Sequence, residues 1–265
     1  MRIRLFRNST GEVIYSNSTP MPEDVHGLKA GTTFSKRKMS QMWTDLLYPY
    51  QEPRFNTFAL SGYTSPRECG DTIPSGAKTF TWTTVNPDNI GANTIRIEDI
   101  TLAQSLAASL ANDGSEVVTL PTSVVETVNA AIHTWRISAL NSKGAVISKE
   151  FPITFYSPIY YGAGAEGLDV AGIQQLTKRI AAEGNFSTLI TTNLNKVYIA
   201  YPAAYGDLAS IKDQNLFDIT GDFTKTTSSF TNNGTYYKGV TMSYLVYEYK
   251  NITSLTNYRF YFNFV

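Results

Sequence analysis

A chain of 265 residues has room for one large domain or two to three small ones, and an apolar content of 42% excludes a globally disordered protein. Charged residues reach only 17%, below the ~25% of an average globular protein. The 22 basic and 22 acidic side chains cancel, so no net field draws the chain toward nucleic acid or an anionic membrane.

The 17 Tyr and 14 Phe, with abundant Thr, Ser and Asn, suit pleated sheets with polar outer faces and suit a helical enzyme poorly. Cys69 is the one cysteine, so no intrachain disulfide forms and folding in a reducing cytoplasm is expected. The start, Met1-Arg-Ile-Arg-Leu-Phe-Arg-Asn8, lacks an apolar signal core and reads as a strand. No apolar run approaches ~18 residues, so no membrane insertion is expected.

In chain order, Ile3 and Leu5 alternate with arginines, and Gly11 turns the chain toward Val13-Ile14-Tyr15, a hairpin partner. Lys36-Arg37-Lys38 reads as solvated residues ahead of a helix. Met39, Met42, Trp43, Leu46 and Leu47 then form one apolar stripe at helical spacing, stopped by Pro49. A helix this short needs something to dock on, its own sheet or a partner, which makes Met39, Met42, Trp43 and Leu46 candidate partner contacts.

From 54 to 157 the pattern is that of an immunoglobulin-like sandwich: about seven short strands with turns every 8–12 residues. Phe80 and Trp82 alternate with Thr79, Thr81 and Thr83, while His133, Trp135, Ile137 and Ala139 share a face opposite Ile132, Thr134, Arg136 and Ser138. Ala103 to Leu110 is equally compatible with a helical turn or a poor strand. Beyond 158, Pro158 and Gly162-Ala-Gly-Ala-Glu-Gly167 read as a joint. A helix capped by Asp169 is expected to run to about Ala182, with Val170, Ile173 and Leu176 inward. Ser187–Thr191, Val197–Tyr201, Val240–Tyr249 and Tyr258–Val265 are strand candidates. The expected fold class is therefore mainly β: a sandwich, a second β-rich C-terminal domain with one helix (158–265), and a short N-terminal β/helix segment (1–53).

Chemistry is sparse. His26 and His133 are the only histidines, and with one cysteine they make no zinc site of usual spacing. No G-x-S-x-G elbow occurs. Glu98-Asp99 fits a surface turn or strand end better than a catalytic pair. Gly162-x-Gly164-x-x-Gly167 spells the dinucleotide letters but lacks a βαβ setting, so no cofactor is expected. Tyr160, Tyr161, Tyr236 and Tyr237 are candidate glycan contacts, because an aromatic face offers a sugar apolar area beside a polar rim.

Several short motifs resemble a recurring module of tailed-bacteriophage virion proteins. They are Gly31-Thr-Thr-Phe34, Leu46-Leu-Tyr-Pro-Tyr-Gln51, Lys78-Thr-Phe-Thr-Trp-Thr-Thr84, Asn93-Thr-Ile-Arg-Ile97, Thr134-Trp-Arg-Ile-Ser138 and Lys196-Val-Tyr-Ile-Ala-Tyr-Pro-Ala-Ala-Tyr-Gly206. The resemblance implies a non-catalytic structural component of a tail fibre, baseplate, neck or head appendage. It would be assembled in the host cytoplasm, homo-oligomeric, and in contact with other virion proteins and possible host attachment. The alternative is a carbohydrate-binding module contacting a host-surface glycan or receptor. No catalytic, cofactor or metal residues belong to the pattern.

Overall fold

The computed structural model describes residues 4–7, 13–17, 33–38, 50–110, 114–231 and 241–265, with positions 40, 41, 43 and 47. The described chain is mainly β. At the N-terminal side, β1 (Arg4–Arg7), β2 (Val13–Asn17) and β3 (Phe34–Lys38) form an antiparallel sheet in that order. The expected hairpin is present, with Phe6 opposite Ile14. Lys36-Arg37-Lys38 is strand, because its backbone continues the ladder with β2, Arg37 opposite Tyr15. Positions 40, 41, 43 and 47 that follow are helical.

The next strands are β4 (Arg54–Leu60), β5 (Arg67–Glu68), β6 (Thr72–Ile73), β7 (Gly76–Val85), β8 (Ile95–Asp99), β9 (Gln104–Leu110), β10 (Gly114–Leu120), β11 (Val124–Val125), β12 (Ala131–Leu140) and β13 (Val146–Tyr156). They form a three-stranded sheet, β10-β7-β4, a five-stranded sheet, β5-β13-β12-β8-β9, and a small pair, β11-β6. This is an immunoglobulin-like order: first, second and fifth main strands on one sheet, third, fourth, sixth and seventh on the other. One-sided burial dictates it. Phe80 and Trp82 of β7 turn inward while Thr81 and Thr83 face water, and His133, Trp135, Ile137 and Ala139 of β12 do the same from the facing sheet. Rings close the gap between the sheets: Phe80 meets Trp135 edge-on at 6.1 Å and Phe58 meets Phe151 at 6.5 Å. No disulfide joins the sheets, and the Cys69 thiol is buried. The ambiguous stretch after Ala103 is a strand, β9, at the edge of its sheet.

The remaining strands are β14 (Ile159–Gly164), β15 (Thr177–Arg179), β16 (Phe186–Pro202), β17 (Leu208–Lys212), β18 (Phe223–Thr231), β19 (Thr241–Tyr249) and β20 (Thr253–Phe264). β16 organises them. Its first half pairs with β20, which also pairs with β17, and its second half runs between β14 and β19. Register shifts between Ile190 and Asn195 let one 17-residue strand serve both partners. The two strands expected at 187–191 and 197–201 are thus one. A core of Tyr201, Tyr205, Tyr247, Phe260, Phe262 and Phe264 fills one side. Tyr160, Tyr198, Phe230 and Tyr244 fill another, under Ile173.

Two expectations are corrected here. The helix from Asp169 is one turn, Val170–Ile173, and does not reach Ala182. Asp169 does cap it, accepting from the Gly172 amide at 2.8 Å. Gly172 then weakens the helix, and Thr177–Arg179 gains a full ladder on β14. The glycine run is not a joint either: Gly162 to Gly164 pair in register with Tyr198 to Lys196. Gly162 holds φ of +149° and Gly167 +69°, conformations that call for glycine.

Candidate functional site

Ile95, Ile97 and Asp99 point inward from β8 at period two, so the chain places a carboxylate in a sandwich core. Asp99 is 2% exposed and His133 1% exposed. His133 Nε2 lies 2.8 Å from Asp99 Oδ2, and Nδ1 lies 3.2 Å from Glu126 Oε1. Both ring nitrogens thus face a carboxylate, the arrangement an imidazolium satisfies by donating twice. Burial pulls the imidazole pKa down, but the hydrogen bonds and negative charges of Asp99 and Glu126 prevail and raise it. Asp99 also accepts from the Leu102 amide through Oδ1 at 3.0 Å. Asp99 does sit at a strand end, the last residue of β8, as expected of Glu98-Asp99, but it is buried and not on the surface. The signal was its register with Ile95 and Ile97: an inward acid needs an inward cation, and His133 lies on the same face of neighbouring β12, two residues from Trp135, which stands opposite Asp99.

Glu126 begins a loop that also builds the joint with the C-terminal strands. β13 ends at Tyr156 and β14 begins at Ile159, and the linking Ser157 and Pro158 are buried. Asn129 Oδ1 accepts from the Ser157 amide at 2.8 Å and from the Tyr205 hydroxyl at 3.2 Å. Tyr244 donates to the Pro158 carbonyl at 3.0 Å, and Lys178 reaches Glu68 at 2.6 Å. Cys69, whose thiol burial pushes up in pKa, donates to the Val128 carbonyl at 3.4 Å. Replacing Asn129 by Ala strands the Ser157 amide and leaves the Tyr205 hydroxyl only the Ala181 carbonyl at 3.5 Å, and is expected to destabilise by about 1–3 kcal/mol. Limited chymotrypsin digestion should then cut after Tyr156, beside the joint, where the parent chain resists, and an unchanged digestion pattern would refute the clamp.

Of the expected contact residues, Trp43 is 57% exposed, and Leu47, four positions on, is 64% exposed. Met39, Met42 and Leu46 lie outside the described residues, as do Tyr236 and Tyr237. Tyr160 is corrected as a glycan contact: it is 3% exposed, its ring 6.0 Å from both Phe230 and Tyr244, so no face is open to a sugar. Burial raises its hydroxyl pKa. Tyr161 is half-buried against Phe186 at 5.5 Å. Lys196, unremarked in the sequence, is drawn in between Glu166 at 2.7 Å and Glu248 at 3.1 Å.

A groove of about 200 Å³ opens between Asn93, Arg96, Ser138, Leu140 and Val146, below the ~300–1,000 Å³ of small-molecule sites. Among the described residues no group of three or more His, Cys, Asp or Glu is placed to hold a metal ion. Among them, too, no helix is long and apolar enough to cross a membrane.

No family model and no curated protein matches the chain. Similarity to solved structures is remote. An α-L-rhamnosidase from Dictyoglumus thermophilum aligns over 80% of this chain and 25% of its own, with 11% identity and a TM-score of 0.26. An α-L-rhamnosidase from Streptomyces avermitilis aligns over 79% and 23%, with 6% identity and a TM-score of 0.26. The secreted serine protease VesC from Vibrio cholerae aligns over 98% and 58%, with 10% identity and a TM-score of 0.25. The chain spans about a quarter of the rhamnosidases and just over half of the protease, and likeness at this level carries no functional argument.

Proposed function

We propose that the protein is a non-catalytic structural component of a tailed-phage particle, homo-oligomeric and held by contacts with other virion proteins. The motif order from Gly31 to Gly206 motivates the virion setting. The observation that best supports a structural role is the joint: a two-residue connection, buried and clamped by Asn129, Tyr205, Tyr244 and the Glu68–Lys178 pair. Such a connection suits an element that must keep its parts in fixed relation. The converging polar groups point the same way, since His133, Asp99 and Glu126 are spent on one another inside the fold.

The test is compositional. Particles purified on a gradient from the producing host should contain this chain at a fixed ratio to the major head protein. Deleting its coding sequence should remove one recognisable part of the particle in electron micrographs. Gradient-pure, infectious particles in which mass spectrometry finds none of the chain would end the proposal.

A further inference from the structure

The strand registers place three connections at the end of the C-terminal unit remote from Ser157-Pro158. β14 starts at that joint and runs to Gly164, opposite Lys196. The register shift of β16 at 192–195 therefore lies at the remote end, beside the start of β20 at Thr253. The 250–252 turn leads into that start, and Lys250 donates to the Asp222 carbonyl at 2.8 Å from its amide and to the Gly221 carbonyl at 2.6 Å from Nζ. The 213–222 connection is thereby fixed to the same end. Each of these connections exposes a large apolar side chain: Leu194 at 74%, Leu216 at 61%, Phe217 at 68% and Ile252 at 52%.

Two of the four are held in an unfavourable backbone conformation. Leu216 has φ of +66° and Leu194 φ of +53°, the left-handed region leucine avoids. Leu216 is kept there by Asp213, whose Oδ1 accepts from the Asn215 and Phe217 amides at 2.9 Å, while its Oδ2 accepts from Tyr258 at 3.0 Å. Strain of this kind persists only where surroundings impose it, and it fixes side chains in place before any contact is made.

We infer that this end is a contact tip, with Leu194, Leu216, Phe217 and Ile252 entering an apolar hollow, rimmed by basic residues, on a different protein. Charge selects that occupant. The three connections carry Asp213, Asp218 and Asp222 against Lys250 alone. With the flanking groups counted, Lys212 offsets one aspartate and Lys196 is outweighed by Glu166 and Glu248, which leaves an excess of two negative charges. An acidic tip is repelled by anionic lipid and by a second acidic tip, and is drawn to a basic rim. The inference goes beyond the particle role proposed above and does not rest on it.

The experiment places a photoreactive benzoylphenylalanine at position 217 of the full chain in its producing cells, with position 146 as an exposed control on the other unit. The expected result is one discrete adduct with a different protein, absent at 146. That protein, once purified, should bind the full chain saturably, at least tenfold more weakly after Leu216→Asp or Phe217→Asp and more weakly as salt rises. Both positions are exposed, so the variants should melt with the parent chain. Adducts only between copies, no adduct above the control, flotation of the chain with phosphatidylglycerol vesicles through these side chains, or a partner indifferent to both variants would each overturn it.

Discussion

Replacing Asp99 by Asn should destabilise the protein by about 1–3 kcal/mol, the cost of mispairing a buried polar group while Glu126 still faces the other ring nitrogen. Asp99 and His133 are both almost inaccessible, and the Asp99 carboxylate is the group that meets His133 Nε2, at 2.8 Å. The same pair makes stability depend on pH, with a definite sign. The folded pKa of His133 is raised above its ordinary 6.5 by Asp99 and Glu126, against the opposing pull of burial. The stabilisation is therefore complete below that ordinary value and is lost as pH rises through the raised one. Urea unfolding at pH 6 and pH 9 should show the parent chain weaker at pH 9, and His133→Gln should be weaker than the parent at pH 6 with most of that difference between pH values gone. A His133→Gln variant keeping the parent's pH dependence would show that the imidazole carries no charge in the fold.

Trp135→Ala should cost about 3–5 kcal/mol, the range for truncating a buried aromatic side chain. Trp135 is fully buried and touches the rings of Phe80, Phe151 and His133, so its removal opens a void between both sheets of the sandwich. The loss should be local. The hydrophobic cluster around Trp135 draws only on residues between Phe55 and Phe155, and the others begin at Ile159. Hydrogen exchange should accelerate across β7, β8 and β12 while amides in β16, β19 and β20 keep their protection. Equal acceleration in both sets would mean that the clamp at Asn129 and Tyr205 couples the two cores into one cooperative unit.

The sandwich was legible because burial there is one-sided. Phe80 and Trp82, or His133, Trp135 and Ile137, repeat at period two with small polar residues between them. β9 resisted reading because its Ala- and Ser-rich run is nowhere fully buried. β18 went unseen for a related reason: Thr224 to Thr227 are all exposed, so an edge strand with a polar face carries no alternation. The helix after Asp169 failed through competition, since its apolar positions, Val170, Ile173 and Leu176, do pack as expected while the backbone beyond them joins a ladder. The buried ion network was half visible, in the inward register of Asp99, but Glu126 comes from a loop and only the fold brings it to His133.

The joint has a mechanical consequence. β4 enters the sandwich at Arg54, opposite Val85, on the side where Gln51 and Glu52 carbonyls accept from Asn89 and Asn86. β13 leaves it at Tyr156, on the side where Arg67 pairs with Phe155. A pull on the chain across residues 54–156 therefore runs lengthwise along β4 and β13, whose ladder bonds stand across the strands. Those bonds are loaded together in shear and not unzipped one at a time. Because only Ser157 and Pro158 intervene, tension passes into β14 without slack to take up.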